Sequence, residues 1–205
     1  MAFVATSYSQ VRFNQAVPRS LKAEHGKLAL DSVSKTRNAQ EIARIPKIKK
    51  TGFSSEEIQS KTKAMRLRDS LSNPIAFAIP ANINLIESGK REKQSDGGEL
   101  IRLNISVDNA PYMLLVFDKF YLPKGSQLMI FDPDGTFIMG PLTEQNNRAS
   151  RKYMTGILKG SDLVLEYYAP KGVTELPEIS ISSIGAGFSE TGTTNVKEKK
   201  GNTLL

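Results

Sequence analysis

Few residues in this chain are of a type and spacing suited to chemistry. A serine hydrolase needs a histidine to take the serine proton, and the only histidine is His25. It lies in a basic, weakly patterned stretch with no carboxylate identifiable beside it, so it reads as an exposed linker residue. The chain has no cysteine, which removes disulfides, thiolate nucleophiles and Cys-based metal sites. The compartment stays open, because a domain with a sufficient core needs no disulfide. Asp132 and Asp134 bracket a turn and are the calcium candidates by residue type, with Asp96 and Asp118 elsewhere. Two carboxylates fall short of the about six to eight oxygens calcium takes, and turn chemistry accounts for them without a metal. Glu144 and Glu166 have the residue types of a glycosidase pair, but nothing in the sequence sets their separation. No cofactor is expected. Tyr112, Tyr121, Tyr153, Tyr167 and Tyr168 would suit a sugar-stacking or protein-binding face. In a chain without tryptophan, core and sheet-face packing is their expected use.

The elements that must position these residues change in character along the chain. The 205 residues carry a formal net charge of +7, and it is unevenly spread. Residues 1–72 hold 14 Lys and Arg against 6 Asp and Glu, whereas residues 73–188 hold 11 against 13. Residues 1–10 read either as the remnant of a secretory signal, a short apolar piece followed by small residues without the basic start of a complete one, or equally as an ordinary frayed N-terminus. Residues 11–72 form a basic N-terminal arm. Over 11–50 its apolar groups (Leu28, Leu30, Val33; Ile42, Ile45, Ile48) do not add up to a core, so the stretch is expected to be extended or disordered when alone. A capping box, Ser54 with Glu57, predicts a helix over 54–71, ended by Asn73-Pro74. Its apolar stripe is thin, so it calls for a partner surface. The arm lacks interleaved aromatics and any nucleic-acid motif, and is read as solvated rather than as a phosphate binder.

From residue 73 to 188 short apolar runs alternate with turn signals. Strands are expected at 75–79, 100–107, 112–117, 127–131, 136–139, 163–168 and 179–184. In 100–107, Ile101, Leu103, Ile105 and Val107 point one way and Arg102, Asn104 and Ser106 the other, the pattern of a half-buried strand. The stretch Asp118–Pro141 reads as strand, turn, strand, turn, strand, broken at Pro123-Lys124-Gly125 and at Asp132-Pro133-Asp134-Gly135. This is a mainly β chain: a two-layer antiparallel β-sandwich, jelly-roll or Ig-like in shape, preceded by the basic, partly disordered arm with one helix. No apolar run approaches the length of a membrane span. Residues 189–205 read as a flexible linker or truncated end, and Lys197, Lys199 and Lys200 within it are expected to be exposed, which suits proteolytic nicking or, equally, a plain solubilising tail.

An ordered set of short pieces carries a more specific likeness. Phe77-Ala-Ile-Pro80 is followed by Asn82-Ile-Asn84, then Asp96-Gly-Gly98 and Leu100-Ile-Arg-Leu103. Next come Phe117-Asp-Lys-Phe120, Leu122-Pro-Lys-Gly125, Leu128-Met-Ile-Phe131 and Asp134-Gly135. Gly140-Pro141, Thr143, Asn146-Asn147, Gly160-Ser-Asp162, Leu165-Glu-Tyr167 and Ile184-Gly-Ala-Gly-Phe188 complete it. In this order residues 76–188 resemble the N-terminal, non-catalytic propeptide region of secreted trypsin-like serine endopeptidases of the lysyl endopeptidase type. The chain departs from the family pattern at Lys90, where an aromatic is typical, and at Met154-Thr155, where the family favours an aromatic-Thr pair, and it contains neither a His-Cys dipeptide nor Gly-Asp-Ser-Gly.

The resemblance implies a secreted or periplasmic prodomain or accessory domain, not an enzyme by itself. It would assist folding or latency of a protease domain missing from this chain. Its partner would be the cognate protease domain, and cleavage after Lys197, Lys199 or Lys200 would release it. The other reading is a stand-alone extracellular sandwich that binds a cell-surface glycan or a protein. An exposed row of aromatic residues would favour that reading.

Overall fold

Two antiparallel sheets pack face to face in a computed structural model that describes residues 40–188 and the backbone of residues 2–3. The first sheet contains β1 (Ala2–Phe3), β3 (Ala76–Asn84), β12 (Glu178–Gly187) and β6 (Tyr112–Tyr121), in that order. β9 (Tyr153–Met154) and β10 (Leu158–Lys159) lie in tandem along the free side of β6. The second sheet runs β5 (Glu99–Val107), β11 (Asp162–Ala169), β7 (Gln127–Phe131), β8 (Ile138–Leu142). The free side of β5 is again shared by two short strands. β4 (Lys90–Lys93) pairs with residues 99–102 and β2 (Lys47–Lys50) with residues 104–107. β2 is the one parallel pairing; all the others among the described strands are antiparallel. The expected mainly β, two-layer sandwich is thus the observed architecture.

Strand alternation builds the core. Ile101, Leu103, Ile105 and Val107 face inward with Leu163, Leu165 and Tyr167, against Met113, Leu115, Phe117, Ile181 and Ile184 of the other sheet. Apolar burial of this kind stabilises at about 25 cal/mol per Å² removed from water, so these side chains dominate the stability of the sandwich.

Several expectations need correction. The arm is not without a core over its last residues: Ile42 and Ile45 are buried against Met129, Phe131 and Val164 on the outer face of the second sheet, and Ile48 packs on the main core. The helix is Ser55–Arg68 and stops before Asn73-Pro74. Asp69 ends it, because its side chain accepts the Leu71 N–H at 3.0 Å and the Ser72 hydroxyl at 2.8 Å, turning the chain. Pro80 does not close its strand, which runs on to Asn84. β3 meets β1 only at Ala76 and Phe77, so a residue without an N–H is tolerated further along that side. Arg102, Asn104 and Ser106 are not solvent-facing but buried. Finally, Pro123–Gly125 is no hairpin: β6 and β7 belong to different sheets, and this turn carries the chain across the sandwich.

Candidate interaction surface

The sequence-predicted chemical residues do not converge. Asp132 is spent on its turn: its carboxylate accepts the Phe137 N–H at 2.6 Å and the Thr136 hydroxyl at 2.5 Å. Asp134 is exposed at the tip beside Gly135, whose φ of 69° is the left-handed conformation the turn requires. Among the described residues, no group of three or more His, Cys, Asp or Glu is arranged to hold a metal. Glu144 opens a single 3-10 turn after β8, whereas Glu166 lies buried within β11, opposite Arg102. His25, Lys197, Lys199 and Lys200 lie outside the described residues.

The tyrosines among the described residues form no exposed row. Tyr167 is in the core, and Tyr153 stacks on Phe120 with centroids 4.5 Å apart. Tyr112 is buried and donates to the Ile75 carbonyl at 2.6 Å, and Tyr168 is buried and donates to Asp96 at 2.8 Å. Burial pushes the phenol pKa values of Tyr112, Tyr153 and Tyr167 up, since the phenolate would lose its hydration. Tyr121, like Tyr153, is partly open. Its hydroxyl donates to Glu175 at 2.6 Å, and the Arg151 guanidinium lies 4.7 Å over its ring while pairing with Glu178 at 2.6 Å. The hydrogen bond to Glu175 raises the Tyr121 pKa.

A charged cluster unmarked in the sequence lies on the outer face of the second sheet, around Arg102. Arg102 is ion-paired with Glu92 and lies 4.0 Å from Glu41. Burial alone would raise the Glu92 pKa, but hydrogen bonds from Lys90 and Arg102, together with their charges, outweigh it and hold the carboxyl below its ordinary range. The alternating pattern of β5 marks Arg102 as outward-facing but cannot show that Glu92 and Glu41 come to meet it.

The helix is the element with the least support from the rest of the molecule. Its start is fixed locally: Ser54 Oγ accepts the Glu57 N–H at 3.2 Å, and Glu57 accepts the Ser54 N–H at 2.8 Å. It buries no side chain. Its anchor is an aromatic corner, in which Phe53 meets Phe77 edge-on at 5.8 Å and Phe77 stacks on Phe188 at 5.0 Å. Lys61 Nζ sits 5.1 Å over the Phe53 ring and 5.8 Å over Phe77. Exposed cation–π contacts contribute about 0.5–1 kcal/mol each. An isolated helix below about 12–15 residues is marginal in water, and this one has 14. It displays Lys63, Arg66 and Arg68, with Leu67 80% and Leu71, just past its end, 91% exposed. No helix among the described residues is long and apolar enough to cross a membrane.

The sequence matches no protein-family model and no curated protein.

Proposed function

We propose that this chain is the non-catalytic prodomain, or N-terminal accessory domain, of a secreted or periplasmic serine endopeptidase. It would assist folding or latency of a protease domain that this chain does not contain. The residue resemblance across 76–188 suggests the family, and one structural observation supports the role: the basic helix Ser55–Arg68 that buries no side chain of its own. Helices of this length gain their stability from tertiary packing, so the exposed Leu67 and Leu71 with the basic residues around them suit a second protein surface. The helix base also meets Phe188 through Phe77. Phe188, the last described residue, therefore lies beside the helix base.

In this reading the sandwich is the anchor, the helix is the contact, and Lys197, Lys199 and Lys200 are the points of release. The test is titration of the full chain into a mature serine endopeptidase of the lysyl endopeptidase type, reading hydrolysis of a lysyl ester and recovery of activity after denaturation. Inhibition or faster recovery, weakened by Leu67→Glu with Leu71→Glu, is expected. A chain that neither binds, inhibits nor speeds recovery would sink the proposal.

A further inference from the structure

The short strand β2 is seated in a site that reads as a ligand-binding groove. Besides the ladder of Lys47–Lys50 on Asn104–Val107, the pairing is closed at both ends: Asn104 N donates to the Pro46 carbonyl at 2.8 Å, and Asp108 N donates to the Lys50 carbonyl at 3.1 Å. Ile48 packs on the main core, while Ile42 and Ile45 fill a socket made by Met129, Phe131 and Val164. Carboxylates flank the site. Lys47 pairs with Asp162, and Lys49 pairs with Asp108 at 3.2 Å. Gly52 passes so close to the Asp108 carbonyl that a Cβ there would lie 1.8 Å from it. Backbone pairing, apolar sockets spaced for Ile42, Ile45 and Ile48, and paired charges together define an acceptor for one extended basic segment. This is the general logic of strand addition to a sheet edge.

The connection that ties this segment to its own sandwich is weak by comparison. It passes through the helix, which buries no side chain, and the turn at Asp69–Ser72 before reaching β3. Its ties to the body include the edge contact of Phe53 with Phe77 and the Lys61 cation over both rings. A segment with a specific socket and a loosely held connection is the arrangement in which identical copies exchange elements at low cost. The segment that satisfies the Ile sockets and both carboxylates is carried by every copy.

We propose that the Asn104–Val107 edge of β5 is a strand-acceptor site that takes the Lys47–Lys50 strand of a second copy of this chain, joining two copies by reciprocal exchange. The inference is independent of the protease reading. Two full-length variants test it. Lys47→Glu with Lys49→Glu places like charges against Asp162 and Asp108. Asp108→Lys with Asp162→Lys does the same against Lys47 and Lys49. Alone, each variant repels its own strand in one copy or in a pair. Mixed after co-refolding, each strand finds an opposite charge in the other copy.

The natural chain is expected to elute at twice the monomer mass, each variant alone as a monomer and the mixture again at twice the monomer mass; a natural chain that stays monomeric overturns the proposal. Should charge reversal unfold the chain, Lys49→Cys and Ser106→Cys in two differently tagged full-length copies give a second reading. These positions are register partners, and the natural chain has no cysteine. Oxidation of the co-refolded pair is expected to give mainly the mixed disulfide dimer. A mixture of folded charge variants that stays monomeric, or cysteine copies that yield no mixed dimer, overturns the proposal.

Discussion

Asn147 pairs with both backbone groups of Leu122: its Oδ1 accepts the Leu122 N–H at 2.9 Å and its Nδ2 donates to the Leu122 carbonyl at 2.8 Å. One side chain thereby does the work of a neighbouring strand at the end of β6. The rest of the loop continues the same edge. The Arg151 carbonyl accepts the Phe120 N–H at 2.7 Å, Thr155 Oγ1 accepts the Leu115 N–H at 2.9 Å, and β9 and β10 pair in between. An open edge strand is a template for unwanted pairing, and on this side the loop covers β6 from Tyr112 to Leu122.

Asn147→Ala is therefore expected to be among the costlier loop substitutions. It leaves the donor and acceptor of Leu122, a fully buried residue, without a partner. Each unsatisfied buried group costs about 1–3 kcal/mol. Asn147→Asp keeps the acceptor but sets a carboxylate oxygen against the Leu122 carbonyl, where Nδ2 now donates at 2.8 Å, so it should also be less stable. Urea denaturation of the three proteins should place both variants below wild type. An Ala variant as stable as wild type would show that water replaces the amide.

Gly187 and Tyr112 make a second coupled pair. A Cβ at Gly187 would lie 2.4 Å from the Tyr112 ring, and that ring is held by its hydroxyl on the Ile75 carbonyl. Gly187→Ala must displace a buried side chain, an overpacking cost of about 1–3 kcal/mol. Truncating the ring removes the obstacle. The pair Gly187→Ala with Tyr112→Ala should therefore be more stable than the sum of the two single losses implies, which a double-mutant cycle by thermal denaturation measures. Strict additivity would mean the ring moves aside freely.

How much of this was legible in the sequence depends on how local each cause is. The seven longer strands follow from apolar alternation bounded by turn residues, and the helix start follows from Ser54 and Glu57. The five short edge strands β1, β2, β4, β9 and β10 do not follow from the sequence pattern. Lys47–Lys50 and Lys90–Lys93 are mostly charged, and their strand state comes from the β5 edge they pair with, not from their own pattern. Turn chemistry also does not say which sheet comes next. Pro123–Gly125 crosses between sheets whereas Asp132–Gly135 makes a hairpin, although both rely on a glycine with positive φ. At the candidate site the basic helix was readable, but its seat on Phe53, Phe77 and Phe188 was not, since those residues are far apart in the chain.

The Glu92 carboxylate gives a signed prediction for acid stability. Its folded pKa is depressed by Lys90 and Arg102 despite burial, so the folded state binds its proton less readily than the unfolded chain. The stabilisation is then present above the unfolded value of about 4.3 and is lost as pH falls through the folded one. Glu92→Gln should be less stable than wild type by a constant amount near neutrality. The gap should narrow below about pH 4 as the wild-type carboxyl protonates. Urea midpoints at a series of pH values test this, and a gap independent of pH would show that the charge of Glu92 plays no part.

The Asp132 turn offers the last test, because the same carboxylate was the calcium candidate. Oδ1 takes the Phe137 N–H and Oδ2 the Thr136 hydroxyl, so a cation would have to displace bonds already made. Asp132→Ala should cost about 1–3 kcal/mol through the two lost acceptor contacts. Gly135→Ala should cost about 1–2 kcal/mol, because an L side chain is strained in the left-handed region, where Gly135 sits at φ 69°. The wild-type melting temperature should not move when calcium is added in excess over chelator. A rise that Asp132→Ala abolishes would mean that the carboxylate leaves the turn to bind the ion; without one, Asp132 holds the β7–β8 hairpin through its protein partners alone.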